Sequence, residues 1–281
     1  MLIDGSKNFS EFELIDSGHG RRLERWGTLT LVRPDPQAIW KPSQDAALWD
    51  AADAVFEHDA WKTKTTLPEQ WELAFQSMKL IARPMSFKHT GIFPEQAHNW
   101  LWMQEQLKGL ERPRVLNLFG YTGAATVWLT MQGAFVTHVD ASRPALGWAR
   151  ENQRLNGLPE DAIRWMLEDA VAFVRKEVRR GAQYEGIVMD PPAFGHGPSG
   201  GMWKFNVHMP GLLESCVKLL SPEARFLLIN AYATNSSELA LQYVLQDAMG
   251  TRPGTTDSGQ LCLGQRDGRL VSVGIWSHWT K

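Results

Sequence analysis

The sequence predicts an α/β protein with a mostly parallel sheet, closed at one edge by an antiparallel hairpin and preceded by a small α+β domain. Three observations carry the prediction. Short continuous apolar runs alternate with helix-length stretches through the last two thirds of the chain, as buried parallel strands and their crossover helices do. A glycine turn, Gly120-Tyr121-Thr122-Gly123, joins the first such run to the helix after it. Near the end an Asp267-Gly268 pair separates two apolar segments, which is a hairpin signal.

Residues 1–85 read as the small domain, with a strand–helix–strand–strand order. Arg22–Val32 suggests a strand broken at Gly27, and Ser43–Phe56 a helix with Ser43 as its N-cap. Trp71–Phe75 and Lys79–Arg83 suggest paired strands. Arg21, Arg22, Arg25, Arg33 and Lys41 give this domain cations that either meet phosphates or simply face water. Residues 86–281 read as the second domain. Phe87–Asn99 leads into a helix through Trp100, Leu101, Met103 and Leu107, either as a turn beside a ligand or as an interdomain hinge.

The stretch Arg114–Asp140 is one nucleotide-binding βαβ unit. Val115, Leu116, Leu118 and Phe119 form the first strand, Ala124–Met131 the helix, and Phe135–Val139 the second strand, ending on Asp140. Glycine in the turn takes positive φ and lets a ligand approach the backbone. The turn lacks the third glycine of a dinucleotide fingerprint, so a pyrophosphate is poorly served. S-adenosylmethionine (SAM) has no phosphate and needs close backbone approach and a carboxylate for its ribose, which Asp140 supplies. An ordinary α/β turn with no ligand is the competing reading.

Further strands are expected at Ile163–Leu167, Glu185–Asp190 and Arg225–Asn230, with helices at Arg143–Asn156, from Ala170 to Arg180, at Met209–Leu220 and at Ser236–Met249. Strand ends in such a sheet line one crevice. They carry Asn117 to Gly123, Asp140, Asp169 with Ala170, and Asp190-Pro191-Pro192. Asp169 and the Ala170 amide suit the adenine edge; a helix cap is the plainer alternative. In Asp190-Pro191-Pro192-Ala193-Phe194 the prolines stiffen a turn whose carbonyls can accept from an amino group. Phe194 can stack on a flipped base, with Trp203 reaching in from the far side, or it can be a core plug. The acid-free, glycine-rich Gly195–Gly201 loop can close over substrate.

Composition bounds the function. A net charge of −2 argues against non-specific coating of nucleic acid. Thirteen Trp suit a large core, base-stacking platforms, or both. Two cysteines leave no disulfide framework and no Cys-based zinc site, and no metal is expected. The absence of an apolar leader or membrane-length run makes a cytoplasmic protein the expectation.

The segments VLNLFGYTG, VDASRPALGWARENQRLNGL, EDAVAFV and YEGIVMDPPAFGHG resemble successive motifs of the class I SAM-dependent methyltransferases. They are most similar to the bacterial large-subunit ribosomal RNA methyltransferases that modify cytosine C5 or guanine. The resemblance spans residues 85–281. It implies a Rossmann-like, seven-stranded SAM-binding fold and SAM contacts at Phe119, Gly120, Tyr121, Gly123, Asp140, Ala141, Asp169 and Asp190, extended here to Asn117, Ser142 and Ala170. KHTGIFPEQ resembles a segment that lies next to SAM in that family, which adds Thr90 and Phe93. The family's usual arginines are replaced by Ala97 and Trp100.

Cytosine C5 chemistry needs a cysteine nucleophile. The chain has Asn230-Ala231-Tyr232-Ala233 where the cytosine enzymes place it, and Cys216 and Cys262 sit in apolar stretches. The expectation is therefore direct methyl transfer to a nitrogen or oxygen of RNA, ribosomal RNA first, with Asp190, Pro191, Pro192 and Phe194 at the reacting end. The alternatives are a methyltransferase of a small molecule or protein, and a SAM-binding, RNA-associated protein without catalysis.

Overall fold

A computed structural model describes residues 1–196 and 202–281, with the His196 side chain outside the description. In chain order the elements are β1 (Leu2–Asp4), β2 (Phe12–Gly18), β3 (Arg21–Trp26), β4 (Leu29–Pro34), α1 (Ala46–Asp50), β5 (Ala54–Glu57), β6 (Ala60–Thr63), β7 (Trp71–Phe75), β8 (Met78–Ala82), α2 (Ala97–Gln106), β9 (Arg114–Leu118), α3 (Ala124–Met131), β10 (Phe135–Asp140), α4 (Arg143–Leu155), β11 (Ile163–Leu167), α5 (Ala170–Arg180), β12 (Gly186–Met189), β13 (Phe194–His196), β14 (Met202–Lys204), α6 (Phe205–Val217), β15 (Phe226–Ala231), α7 (Glu238–Met249), β16 (Thr255–Gly264) and β17 (Leu270–Thr280). The chain divides into two compact units. One comprises Met1–Leu2, Trp100–Gln260 and Gly274–Lys281; the other comprises Ile3–Asn99 and Leu261–Val273. Part of the C-terminal hairpin thus groups with the N-terminal residues.

The first unit is organised by a mixed sheet in the order β1-β16-β17-β15-β12-β9-β10-β11. Among the described residues its strands number eight, because the N-terminal β1 joins beside β16. Strands β15, β12, β9, β10 and β11 run parallel, and β17 returns antiparallel to β15. From β9 the chain first builds outward through β10 and β11, then crosses back to place β12 and β15 on the other side. The switch point lies between β9 and β12, and ligands bind at the carboxyl ends of the strands there. The runs that predict strands are buried on both faces: Val115, Leu116, Leu118, Ile187, Met189, Leu227 and Ile229 are all fully enclosed. Leu116, Leu118, Ile187 and Leu227 pack with Phe173 of α5, Leu212 and Leu213 of α6, and Leu241 and Leu245 of α7.

The second unit holds a five-stranded sheet, β2-β3-β4-β5-β6, and a β7-β8 hairpin. Three of the sequence expectations change here. Arg22–Val32 is two strands turning at Gly27, whose φ is +65°. The Ser43–Phe56 helix shrinks to α1, which follows Asp45 without a side-chain capping bond, because Ala54–Glu57 pairs with β4 and β6 instead. Arg22 and Arg33 do not face water or phosphate: both are buried on the enclosed Glu24, with Arg33 Nε 2.6 Å from its carboxylate. A buried carboxylate needs such partners to stay charged.

Candidate active site at the switch point of the sheet

The turn after β9 is backbone-strained and tightly braced. Phe119 and Tyr121 adopt left-handed φ values of +57° and +50°, at roughly 1–2 kcal/mol each for non-glycine residues. Gly123 takes φ +80° at the N-terminus of α3. The Gly120 amide donates to Val139 O at 3.1 Å and the Gly123 amide to Gly120 O at 3.0 Å. From α4, Asn152 Nδ2 donates to Thr122 O at 2.9 Å while fully buried.

The glycines have a packing role that the sequence did not disclose. A Cβ on Gly120 would overlap the His138 ring, and one on Gly123 would stand 2.8 Å from Ala149 Cβ. His138 on β10 is completely enclosed, and burial holds its pKa down to about 3, so the imidazole is neutral. Its Nδ1 lies 2.9 Å from Thr126 Oγ1, which accepts from Asn117 Nδ2 at 2.8 Å. Asn117 is thus held beneath the turn, where it braces α3 through Thr126.

Asp140 ends β10 and is half-buried. Its Oδ2 accepts from the Tyr121 amide at 2.8 Å and its Oδ1 from the Ser142 amide at 2.7 Å. Burial raises its pKa, and those two amides work against the rise. Each carboxylate oxygen retains acceptor capacity, as a ribose diol requires. The Tyr121 hydroxyl is pushed up to about 12 by burial and by the Asp140 charge. Ala141 is exposed beside it, and Ser142 caps α4, its Oγ accepting from the Ala145 amide at 3.3 Å. Asp169 is the N-cap of α5, accepting from the Ala172 amide at 2.9 Å, and Ala170 is buried behind it. Asp169 is thus a helix cap, placed at the carboxyl end of the neighbouring strand.

Asp190 follows β12, and its amide approaches Leu118 O at 3.4 Å, which ties it to the end of β9. Pro191 is buried and Pro192 exposed. The Pro192 carbonyl accepts from Trp203 Nε1 at 2.7 Å, which anchors Trp203 and leaves that oxygen a second lone pair. Trp203, itself only 9 % exposed, lies with its ring centroid 5.3 Å from that of Phe119 and 5.5 Å from that of His208. It therefore links the glycine turn to the proline turn. Phe194 is no core plug: it is 72 % exposed on β13, which pairs antiparallel with β14. Residues 197–201 of the expected Gly195–Gly201 loop lie outside the described residues. Thr90 and Phe93 belong to the other unit, where Thr90 is buried and the Phe93 ring packs on His89.

Neither cysteine meets the requirements of a nucleophile. Cys216 is enclosed in the core on α6 and Cys262 is buried in β16, and burial raises both thiol pKa values. Among the described residues no group of three or more His, Cys, Asp or Glu could hold a metal ion, and no helix is long and apolar enough to cross a membrane.

The donor set fits SAM: a braced turn with backbone at the cleft, and an Asp140 carboxylate that accepts hydroxyl donors. The residues missed from sequence are the braces His138, Thr126 and Asn152; Trp203 is singled out in the sequence, but not for its bond to the Pro192 carbonyl. Asn152 lies within a motif-bearing stretch, yet nothing local indicates its partner.

Comparison with known proteins agrees. Residues 32–240 match the family model described as S-adenosylmethionine-dependent methyltransferase. A SAM-dependent methyltransferase from Agrobacterium tumefaciens superposes with a TM-score of 0.95 at 39% identity, covering 100% of this chain and 93% of that one. A Streptococcus mutans protein described as a SAM-dependent methyltransferase, 17% identical with a TM-score of 0.76 over 98% of this chain and 76% of its own, shares the fold. The K/L ribosomal RNA large subunit methyltransferase of Shewanella sp. (strain ANA-3) is 35% identical over 147 residues, which are 50% of this chain and 20% of that protein. This chain thus matches about a fifth of that relative's length. The chain belongs to the S-adenosylmethionine-dependent methyltransferase family.

Proposed function

We propose that this chain methylates RNA, ribosomal RNA first, at a nitrogen or oxygen and by direct transfer. The observation that carries the reading is the Asp190-Pro191-Pro192 turn at the switch point, with the exposed Phe194 ring two residues on. SAM bound in the adjacent turn supplies a methyl group already activated by its sulfonium. Asp140 grips the ribose, the Phe119–Gly123 backbone lines the cofactor, and Asp169 with Ala170 borders the adenine. Asp190 orients the acceptor and takes or relays its proton, which the buried cysteines cannot do. Phe194 stacks on an unstacked base, as proteins that act on single bases do. The name of the Shewanella relative supports RNA as the acceptor, and ribosomal RNA would place the reaction in the cytoplasm.

The test is transfer of label from radiolabelled SAM by the purified protein into RNA, protein and small-molecule fractions of cells lacking it. Label in a single RNA species supports the reading. Label in another fraction replaces RNA as the substrate, and no transfer with SAM still bound removes catalysis.

A further inference from the structure

Far along the helices from the cleft, α5 and α6 border a groove of about 250 Å³ lined by Arg175, Val178, Arg179, Ser215 and Lys218. Arg175 and Arg179 are one helical turn apart and share a face of α5; Lys218 is the C-cap of α6. All three are exposed. None of the three is in an ion pair among the described residues. The contrast lies on the same helix. Lys176 pairs with Glu168, and Arg180 with the buried Glu177, so α5 neutralises its other cations and leaves these two open.

Cations near a helix C-terminus are favoured by the macrodipole, and that accounts for basic residues on either helix taken singly. It does not account for two helices turning unpaired cations into one concavity, where like charges repel. Nor does overall composition, since the chain carries a net charge of −2. The local surplus is complementary to a polyanion. We propose that this groove holds backbone phosphates of the RNA substrate, at a distance from the base being methylated. The inference rests on RNA being the substrate. Arg175 and Arg179 lie about 9 and 15 Å along the helix axis from Asp169 at the cleft end. They would therefore engage RNA flanking the acceptor and carry no information about which atom is modified. Such contacts fix register on the strand rather than read its sequence.

The test uses the full chain with Arg175→Gln, Arg179→Gln and Lys218→Gln combined, and the single variants beside it. The probe is ribosomal RNA from cells lacking the protein. Three lost phosphate contacts should flatten the slope of log affinity against log salt by about 2. At moderate salt KM for RNA should rise at least tenfold, while SAM affinity, thermal unfolding and kcat at saturating RNA stay unchanged. An unchanged salt slope and KM, with wild-type protein methylating the RNA normally, overturns the groove and spares the RNA reading. Wild-type protein that neither binds nor methylates RNA overturns both. Inorganic phosphate bound by wild type and not by the triple variant, with no effect on RNA, also overturns the proposal, because the occupant is then a free anion.

Discussion

The glycine turn and the Phe194 ribbon, the proposed cofactor and acceptor sides, are built in opposite ways. The Phe119–Gly123 turn holds two non-glycine residues in left-handed conformations, and buried partners brace it from β10 and α4. The strands Phe194–His196 and Met202–Lys204 form a two-stranded ribbon with an exposed Phe194, tied back through Trp203 to the Pro192 carbonyl. Strain persists only where the surroundings over-determine it. The difference teaches that the glycine turn is held in shape by the protein's own side chains, whereas the Phe194 ribbon presents apolar surface for something else to cover. Met202, 53 % exposed on the paired strand, adds to that surface.

Acid should destabilise the fold through two buried histidines, of which only His138 braces the turn. His138 is held down to about 3 and His89 to about 4, both chiefly by burial. Below the ordinary value of 6.5 the unfolded chain binds protons that the folded chain refuses, so stability falls as pH drops from 6.5 toward 4. The loss is about 1.4 kcal/mol per pH unit for each such histidine, or about 3 kcal/mol for His138 across that window. Urea unfolding of His138→Gln should show a pH slope shallower by one proton. An identical slope would mean that the imidazole is charged in the fold.

Gly120→Ala comes next. It forces a methyl group into the His138 ring, which has no room to yield, and should cost about 2 kcal/mol of stability together with at least tenfold in SAM affinity. Calorimetry on the variant checks both, and normal SAM binding would show that the turn adjusts after all. On the open side, Phe194→Ala should leave stability unchanged and weaken RNA affinity about tenfold, the scale of one lost base stack. A stability loss would make Phe194 a structural residue.

The smallest effect is expected at the link between the two sides. Trp203→Phe keeps a ring against Phe119 and removes only the Nε1 bond to Pro192, a loss of about 1 kcal/mol. It should lower kcat several-fold with KM for SAM unchanged; a purely structural Trp203 would move thermal stability alone.

What was legible in the sequence is what is local. The apolar runs of β9, β10, β12 and β15 announce buried strands, and the glycine turn and the carboxylates at strand ends fall where such a sheet puts its ligands. The purpose of each glycine was not legible. Gly120 is small because His138, eighteen residues later in the chain, occupies the space, and only the folded sheet brings the two together. Asn152, Thr126 and Trp203 act through partners on other elements in the same way. The helix expected over Ser43–Phe56 failed for a related reason: pairing with β4 and β6 outweighs helical spacing in Ala54–Glu57. Arg22 and Arg33 look like surface cations until the buried Glu24 is seen between them.

The most direct test of the account separates holding SAM from using it. Single-turnover methyl transfer and SAM affinity should be measured side by side for wild type and Asp190→Ala. The account predicts SAM affinity within about twofold and transfer slower by roughly 10²–10⁴, the range of a lost general base. Full turnover with SAM bound would remove Asp190 from the chemistry. Parallel loss of SAM binding would show that Asp190 belongs to the cofactor side, and the division between a braced cofactor side and an open acceptor side would fall with it.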